Sequence, residues 1–143
     1  MSKKSLTDIA EAMKGIDIAM LSTRTDGGHI ATRPMSNNND VAYDGTSYYF
    51  ADGNARVVSD IGADDQVALG FSGKPGLLSS TAYVAVAGKA ELVRDKASFK
   101  DHWNSDLDAW FEKGVDTPGL VMIKVVAERI KYWDKQDQTE LVL

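Results

Sequence analysis

"IDIAMLSTRTDGGHIATRPM", residues 16–35, holds two strand patterns on either side of one turn signal. Ile16, Ile18 and Met20 alternate with Asp17 and Ala19, the period of two expected of a strand with one buried side, and the pattern assigns the larger apolar residues to that side. "DGG" at residues 26–28 is a hairpin signal, because glycine reaches positive φ at little cost, and "HIATRPM" returns as the second strand. Arg33 sits in that return strand, stiffened by the Pro34 that follows it, and apart from Asp26 and Asp40 no acidic residue lies near it in sequence. Its forked donors suit a phosphate or a carboxylate, although an exposed strand arginine is most often simply solvated.

The same punctuation recurs along the chain. "DVAY", the turn "DGTS" and "YYFA" form a second expected hairpin. "QVALGFS" aligns Val67, Leu69 and Phe71 on one side of a strand, "GKPG" turns the chain, and "TAYVAVAGKAELV" is a long strand in which Gly88 marks a bulge or bend. "LVMIKVVA" and "RIKYWD" read as the last strands, with "KQDQTE" as a polar tail. Helical spacing appears in "SLTDIAEAMK", where Ser5 is the expected cap and Gly15 the stop, and in "NARVVSDIGADD", where Val57, Val58 and Ile61 follow Asn54 as cap. Phe99, Trp103, Leu107, Trp110 and Phe111 give two more helical segments, and their stripe reads as core packing.

Six or seven strands joined mostly by tight turns require an antiparallel arrangement, since parallel neighbours need a crossover between nearly every pair. The expected class is mainly β with helices (α+β), an antiparallel barrel or strongly bent sheet in one domain over residues 1–143. That length buries a core without disulfides or a metal.

Composition narrows the function classes. With no cysteine there is no disulfide framework, thiolate metal site or cysteine nucleophile, which fits a cytoplasmic protein. The formal net charge of -5 offers no basic field to a nucleic acid. The amphipathic N-terminal pattern, with Asp8 and Glu11, argues against a secretion signal, and no apolar run is long enough to span a bilayer. His29 and His102 stand alone and read as surface groups, so no metal site is expected. Asp64, Asp65, Asp106 and Asp108 flank turns and helix ends, where carboxylates cap backbone N–H groups. "GKPG" lacks the spacing of a nucleotide-binding loop.

From "MLSTRTDGGHIATRPM" onward the chain resembles the general stress protein 26 branch of the pyridoxamine 5'-phosphate oxidase-like, flavin-binding split-barrel family. The features that carry the resemblance are "RPM" at residues 33–35, "DGTSYYFAD", "ARVVSDIGADDQVALGF", "YVAVAGKAELVRD", "WFEKGVDTPGLVMIKV" and "IKYWD", in that order. The resemblance implies a six-stranded split barrel that forms a homodimer and holds FMN in two clefts at the dimer interface. It implies that Arg33 binds the flavin phosphate and that backbone at Pro34 and Met35 lies against the isoalloxazine. Phe50, Ala51 and Asp52 would continue the cleft, the helix start at Ala55, Arg56 and Val57 would add phosphate contacts, and Trp133 would close over the ring edge. One departure stands out: Ala55 and Val57 occupy the positions of a family Ser-x-Lys step. At roughly 1–3 kcal/mol for each missing charge-assisted contact, FMN affinity should fall by tenfold to several hundredfold or more.

Three functions stay open on these grounds: an FMN-dependent oxidoreductase, a flavin-binding module without turnover, and a structural dimer without ligand. The cleft could also take FAD or another flavin, or hold none tightly. No residue stands out as a general acid or base.

Overall fold

The computed structural model describes residues 4–37, 42–73, 81–135 and 137–143. Helix α1 (Leu6–Met13) opens with a capping box: the Asp8 backbone N–H donates to Ser5 Oγ at 3.1 Å, and the Ser5 N–H donates to Asp8 Oδ2 at 2.9 Å. Lys14 caps its other end and Gly15, at φ +82°, redirects the chain. Strands β1 (Ile18–Arg24) and β2 (Ile30–Ser36) follow as an antiparallel pair around a 3₁₀ turn at Asp26–Gly28, where Gly27 and Gly28 both have positive φ. The remaining elements are β3 (Thr46–Asp52), α2 (Arg56–Ala63), β4 (Gln66–Ser72), β5 (Tyr83–Val93), α3 (Lys96–His102), β6 (Leu120–Trp133) and β7 (Gln138–Val142).

All strand pairs are antiparallel, and the sheet runs β2-β1-β4-β5-β6-β3, with β7 also paired to β6. The 14-residue β6 is shared along its length: its first half carries β3 and its second half β7. The six-stranded path curls into an antiparallel half-barrel whose two end strands, β2 and β3, each pair on one side only among the described residues. The register of β5 on β6 shifts between Ala87 and Gly88, and a β carbon at Gly88 would fall 2.1 Å from the Val126 carbonyl oxygen. Only glycine fits there, as the sequence pattern suggested.

The main core fills the curl. Leu21, Val67, Leu69, Phe71, Val84, Val86, Ile123, Val125 and Ile130 from the sheet meet Val57, Val58 and Ile61 of α2 and Ile9 and Met13 of α1. Each such side chain contributes about 1.5–3 kcal/mol of apolar burial. A second cluster lies on the other face of β3 and β6, where Phe50, Leu120 and Met122 are covered by Phe99 and Leu107. Trp103 meets Phe50 edge-on, with ring centroids 4.9 Å apart. The last strand is tied to the start of the described chain, because the Lys4 backbone N–H donates to Thr139 Oγ1 at 3.2 Å.

Several expectations are corrected. β1 buries Ala19, Leu21 and Thr23 and turns Ile18 and Met20 outward at 47% and 42% exposure, with Ile30 of β2 at 70%. Both faces of β1 are apolar, so alternation alone did not decide between them. The second hairpin is not formed among the described residues: Ala42 and Tyr43 are outside any strand, and β3 pairs with β6. The Ala127 N–H donates to the Gly45 carbonyl at 2.9 Å, which carries the chain directly onto β6. Asp40 and Val41, like residues 74–76 of "GKPG", lie outside the described residues.

The cap of α2 is Ala55, one residue beyond Asn54. "LVMIKVVA" and "RIKYW" form one continuous strand, and the polar tail enters the sheet as β7. "SDLDAWF" supplies a 3₁₀ turn over Ser105–Ala109, and Trp110 beyond it is 74% exposed.

Candidate functional site

Thr23 is the third inward residue of β1 after Ala19 and Leu21, and the curl of the sheet brings it to α2. On α2, Asp60 lies three residues after Val57 and next to Ile61, so it shares the buried stripe of the helix. The Thr23 hydroxyl donates to Asp60 Oδ2 at 2.9 Å. Arg33 reaches the same point from β2: Nη1 donates to Thr23 Oγ1 at 2.8 Å and to the Leu21 carbonyl at 3.2 Å, while Nη2 lies 3.4 Å from Asp60 Oδ2. The Asp60 side chain is 4% exposed and that of Arg33 21%. Burial lowers the Arg33 pKa, an effect the neighbouring Asp60 carboxylate opposes; an arginine remains charged under both influences. Three of its five N–H donors are used in this network. The other two have no partner among the described residues.

A second guanidinium lies nearby on the same two elements. Arg56 starts α2 and contacts Asp26 Oδ2 at 2.7 Å, across to the β1–β2 turn. The hydrogen bond to Asp26, followed by its charge, makes Arg56 hold its proton more tightly. Both side chains are in solvent. Ala55, in the N-cap position, has no side-chain acceptor to offer the first turn of α2. The turn into the helix is tight: Asn54 N–H donates to Asp52 Oδ1 at 2.8 Å, and Gly53 N–H donates to the Gly119 carbonyl at 2.7 Å. A β carbon on Gly53 would fall 2.7 Å from that carbonyl.

These contacts sort the expected site residues. Arg33 from β2 and Arg56 at the head of α2 each bridge the β1–β2 hairpin to α2, through Asp60 and Asp26 respectively, and Asp52 and Ala55 lie in the turn that leads into the helix. Pro34 pairs with Met20 and is exposed, whereas Met35 packs against the main core. The side chains of Phe50, Ala51 and Val57 are buried, Phe50 in the second cluster and the other two in the main core. Trp133 stands apart, beneath Lys131 and paired with Tyr83 and Gln138, at the end of β6 opposite Leu120, the partner of Asp52. Thirteen strand residues at about 3.3 Å each separate those two ends along β6 by roughly 43 Å.

Three residues at this junction escaped the sequence reading: Thr23, Asp26 and Asp60. Asp60 left a signal, an acidic residue on an otherwise apolar helical stripe, and a buried carboxylate there needs a cationic partner. Arg33 is that partner.

Elsewhere, a cavity of about 480 Å³ lies between α1 and the start of β3 and is lined by Met13, Asn37, Tyr43, Tyr48 and His102 among others. His102 stacks on Tyr48 with ring centroids 3.5 Å apart. None of the expected cofactor residues borders it. Among the described residues there is no cluster of three or more metal-ligating side chains, and no helix is long and apolar enough to cross a membrane.

A curled six-stranded antiparallel half-barrel with a helix packed into its curl is a split-barrel architecture. The chain matches the family model described as pyridoxamine 5'-phosphate oxidase like over residues 4–143, and it belongs to that family. Within it the similarity falls in the general stress protein 26 branch. General stress protein 26 of Bacillus subtilis is 40% identical over 63 residues, 43% of this chain and 44% of that protein. A Clostridium acetobutylicum protein related to it superimposes with a TM-score of 0.80 at 19% identity, over 100% of this chain and 97% of its own. The general stress FMN/FAD binding protein of Xanthomonas citri gives 0.74 at 22% identity, over 92% and 89%. At these identities the superpositions establish the fold.

Proposed function

We propose that this protein is a cytoplasmic flavin-binding protein, FMN being the preferred form, and that the cofactor lies in a cleft completed by a second copy of the chain. The observation that carries the reading is the junction of the β1–β2 hairpin with α2. There Arg33 keeps two donors without a partner among the described residues, Arg56 is accessible, and the first turn of α2 lacks a capping side chain. Free backbone N–H groups at a helix start and a guanidinium fork are the groups a phosphate recruits. The family membership and the FMN/FAD binding of the Xanthomonas citri relative support the same ligand class.

In this reading Arg33, the start of α2 and Arg56 hold the phosphate. The free edges of β2 at Pro34 and Met35 and of β3 at Phe50, Ala51 and Asp52 flank the ring through their backbone. The bound isoalloxazine would supply redox chemistry. Ile18 and Met20 on the outer face of β1, with the exposed Pro34 of β2 opposite Met20, form an apolar strip that suits a homodimer. A second copy is also what could bring Trp133 to the cleft.

The reaction class proposed is flavin-dependent oxidoreduction. The engagement of both guanidiniums by aspartates, at Asp60 and Asp26, favours a second reading in which the protein binds and releases flavin without turnover. The test is an absorbance spectrum of the purified protein, mass spectrometry of any small molecule released on heating, and titration with FMN. A flavin spectrum, or uptake of added FMN, is expected; a colourless protein that takes up none overturns the proposal. Oxidation of NADH or NADPH by the loaded protein then separates the enzyme from the carrier. Sedimentation at micromolar concentration should give a dimer, and a monomer would remove the shared cleft.

A further inference from the structure

Both guanidiniums at the junction are paired with carboxylates, but in different ways. The partner of Arg33 is the buried Asp60, which Thr23 also holds in place. Arg56 is paired with Asp26, and these two side chains are 62% and 87% exposed. The contact bridges two elements, since Asp26 stands in the β1–β2 turn and Arg56 at the head of α2. An ion pair in solvent exchanges readily and is worth little, so a stronger anion at the same guanidinium displaces it. A phosphate arriving at the first turn of α2 therefore meets a cation already taken and a negative charge beside it.

We infer that Asp26 is a competitor built into the anion end of this cleft: its carboxylate occupies Arg56 in place of a ligand phosphate and sets how strongly phosphorylated flavin is preferred over unphosphorylated flavin. Asp60 cannot do the same, because it is buried and withdrawing Arg33 would strand its charge. The inference rests on the flavin reading and assigns Asp26 the role of a specificity determinant that acts through Arg56.

The test is a titration of FMN and of riboflavin into the wild-type protein, Asp26→Asn, Arg56→Gln and the double variant, at low and at molar salt. Asp26→Asn should tighten FMN by roughly two- to tenfold at low salt and leave riboflavin unchanged. The gain should shrink when the Debye length falls to about 3 Å in 1 M salt, and it should vanish when Arg56 is also replaced. Binding of FMN by Asp26→Asn and not by the wild-type protein supports the inference in its strongest form. Equal FMN affinity in both, an equal gain for riboflavin, or a gain that persists without Arg56 overturns it and leaves the flavin reading intact. FMN bound by neither overturns both. Residue 26 is exposed in a turn, and matching melting curves would exclude a folding defect as the cause of any difference.

Discussion

Replacing Arg33 with alanine should destabilise the protein even when no flavin is present. The substitution removes the paired cation from a carboxylate that is 4% exposed and leaves Asp60 with the Thr23 hydroxyl as its one remaining side-chain hydrogen-bond partner among the described residues, with only the more distant charge of Arg56 on its side. Breaking a fully buried ion pair from one side costs about 3–5 kcal/mol, while a surface pair is worth about 0–1 kcal/mol. Arg33 at 21% exposure lies between these limits, which gives a loss of about 2–3 kcal/mol. An unfolding entropy near 2.1 cal/mol/K per residue makes roughly 0.3 kcal/mol/K for the 143-residue chain. The melting temperature should therefore fall by roughly 7–10 °C.

The assay is thermal unfolding of flavin-free Arg33→Ala, Asp60→Asn and the double variant, followed by circular dichroism. The double variant should recover part of the loss, because removing both charges strands neither. An Arg33→Ala protein that melts with the wild type would refute the reasoning, as it would show that Asp60 does not depend on Arg33.

Ala55→Ser should raise stability by about 1 kcal/mol by supplying the missing cap of α2, read as a higher urea midpoint at unchanged slope; an unchanged midpoint would mean that the first turn is already satisfied. Val57→Lys, which would restore the family lysine, should destabilise by about 3 kcal/mol or more because it forces an ammonium into the main core. A wild-type midpoint together with tighter FMN would show instead that position 57 opens to the cleft. At high pH, burial pushes the pKa of Tyr43 and Tyr49 up, and that of Tyr132 up to about 12 with help from Asp134. The folded state keeps these protons after the unfolded state has lost them near pH 10. Their contribution should be complete below that pH and decline through about 12, and urea midpoints that hold constant to pH 12 would contradict it.

The fold was legible where turn chemistry and apolar period agreed. "DGG" between two alternating runs, Gly88 inside a long strand, and Ser5 ahead of Leu6 each led to the element found. It was not legible where two readings were equally apolar. Ile18 and Met20 alternate as well as Ala19 and Leu21 do, and what turned Leu21 inward is a helix that follows about 35 residues later, which no local window contains. Short turns usually join neighbours, which puts "YYFA" beside "DVAY", whereas the partner of β3 is β6. In the site, Arg33 could be singled out from its own strand, but its partners could not, because Thr23 and Asp60 become adjacent to it only through the curl of the sheet.

The bond from Lys4 to Thr139 joins positions 135 residues apart. Loop-closure entropy rises with length, though slowly, and a contact of this span forms most cheaply once the segments between its ends are ordered. The seating of the N-terminal segment on β7 is therefore expected late in folding, after the pairings of β1 with β4 and of β3 with β6. Held at its start by this one part-buried bond, the segment around Lys4 should have amide protons among the first to exchange with solvent in the native protein.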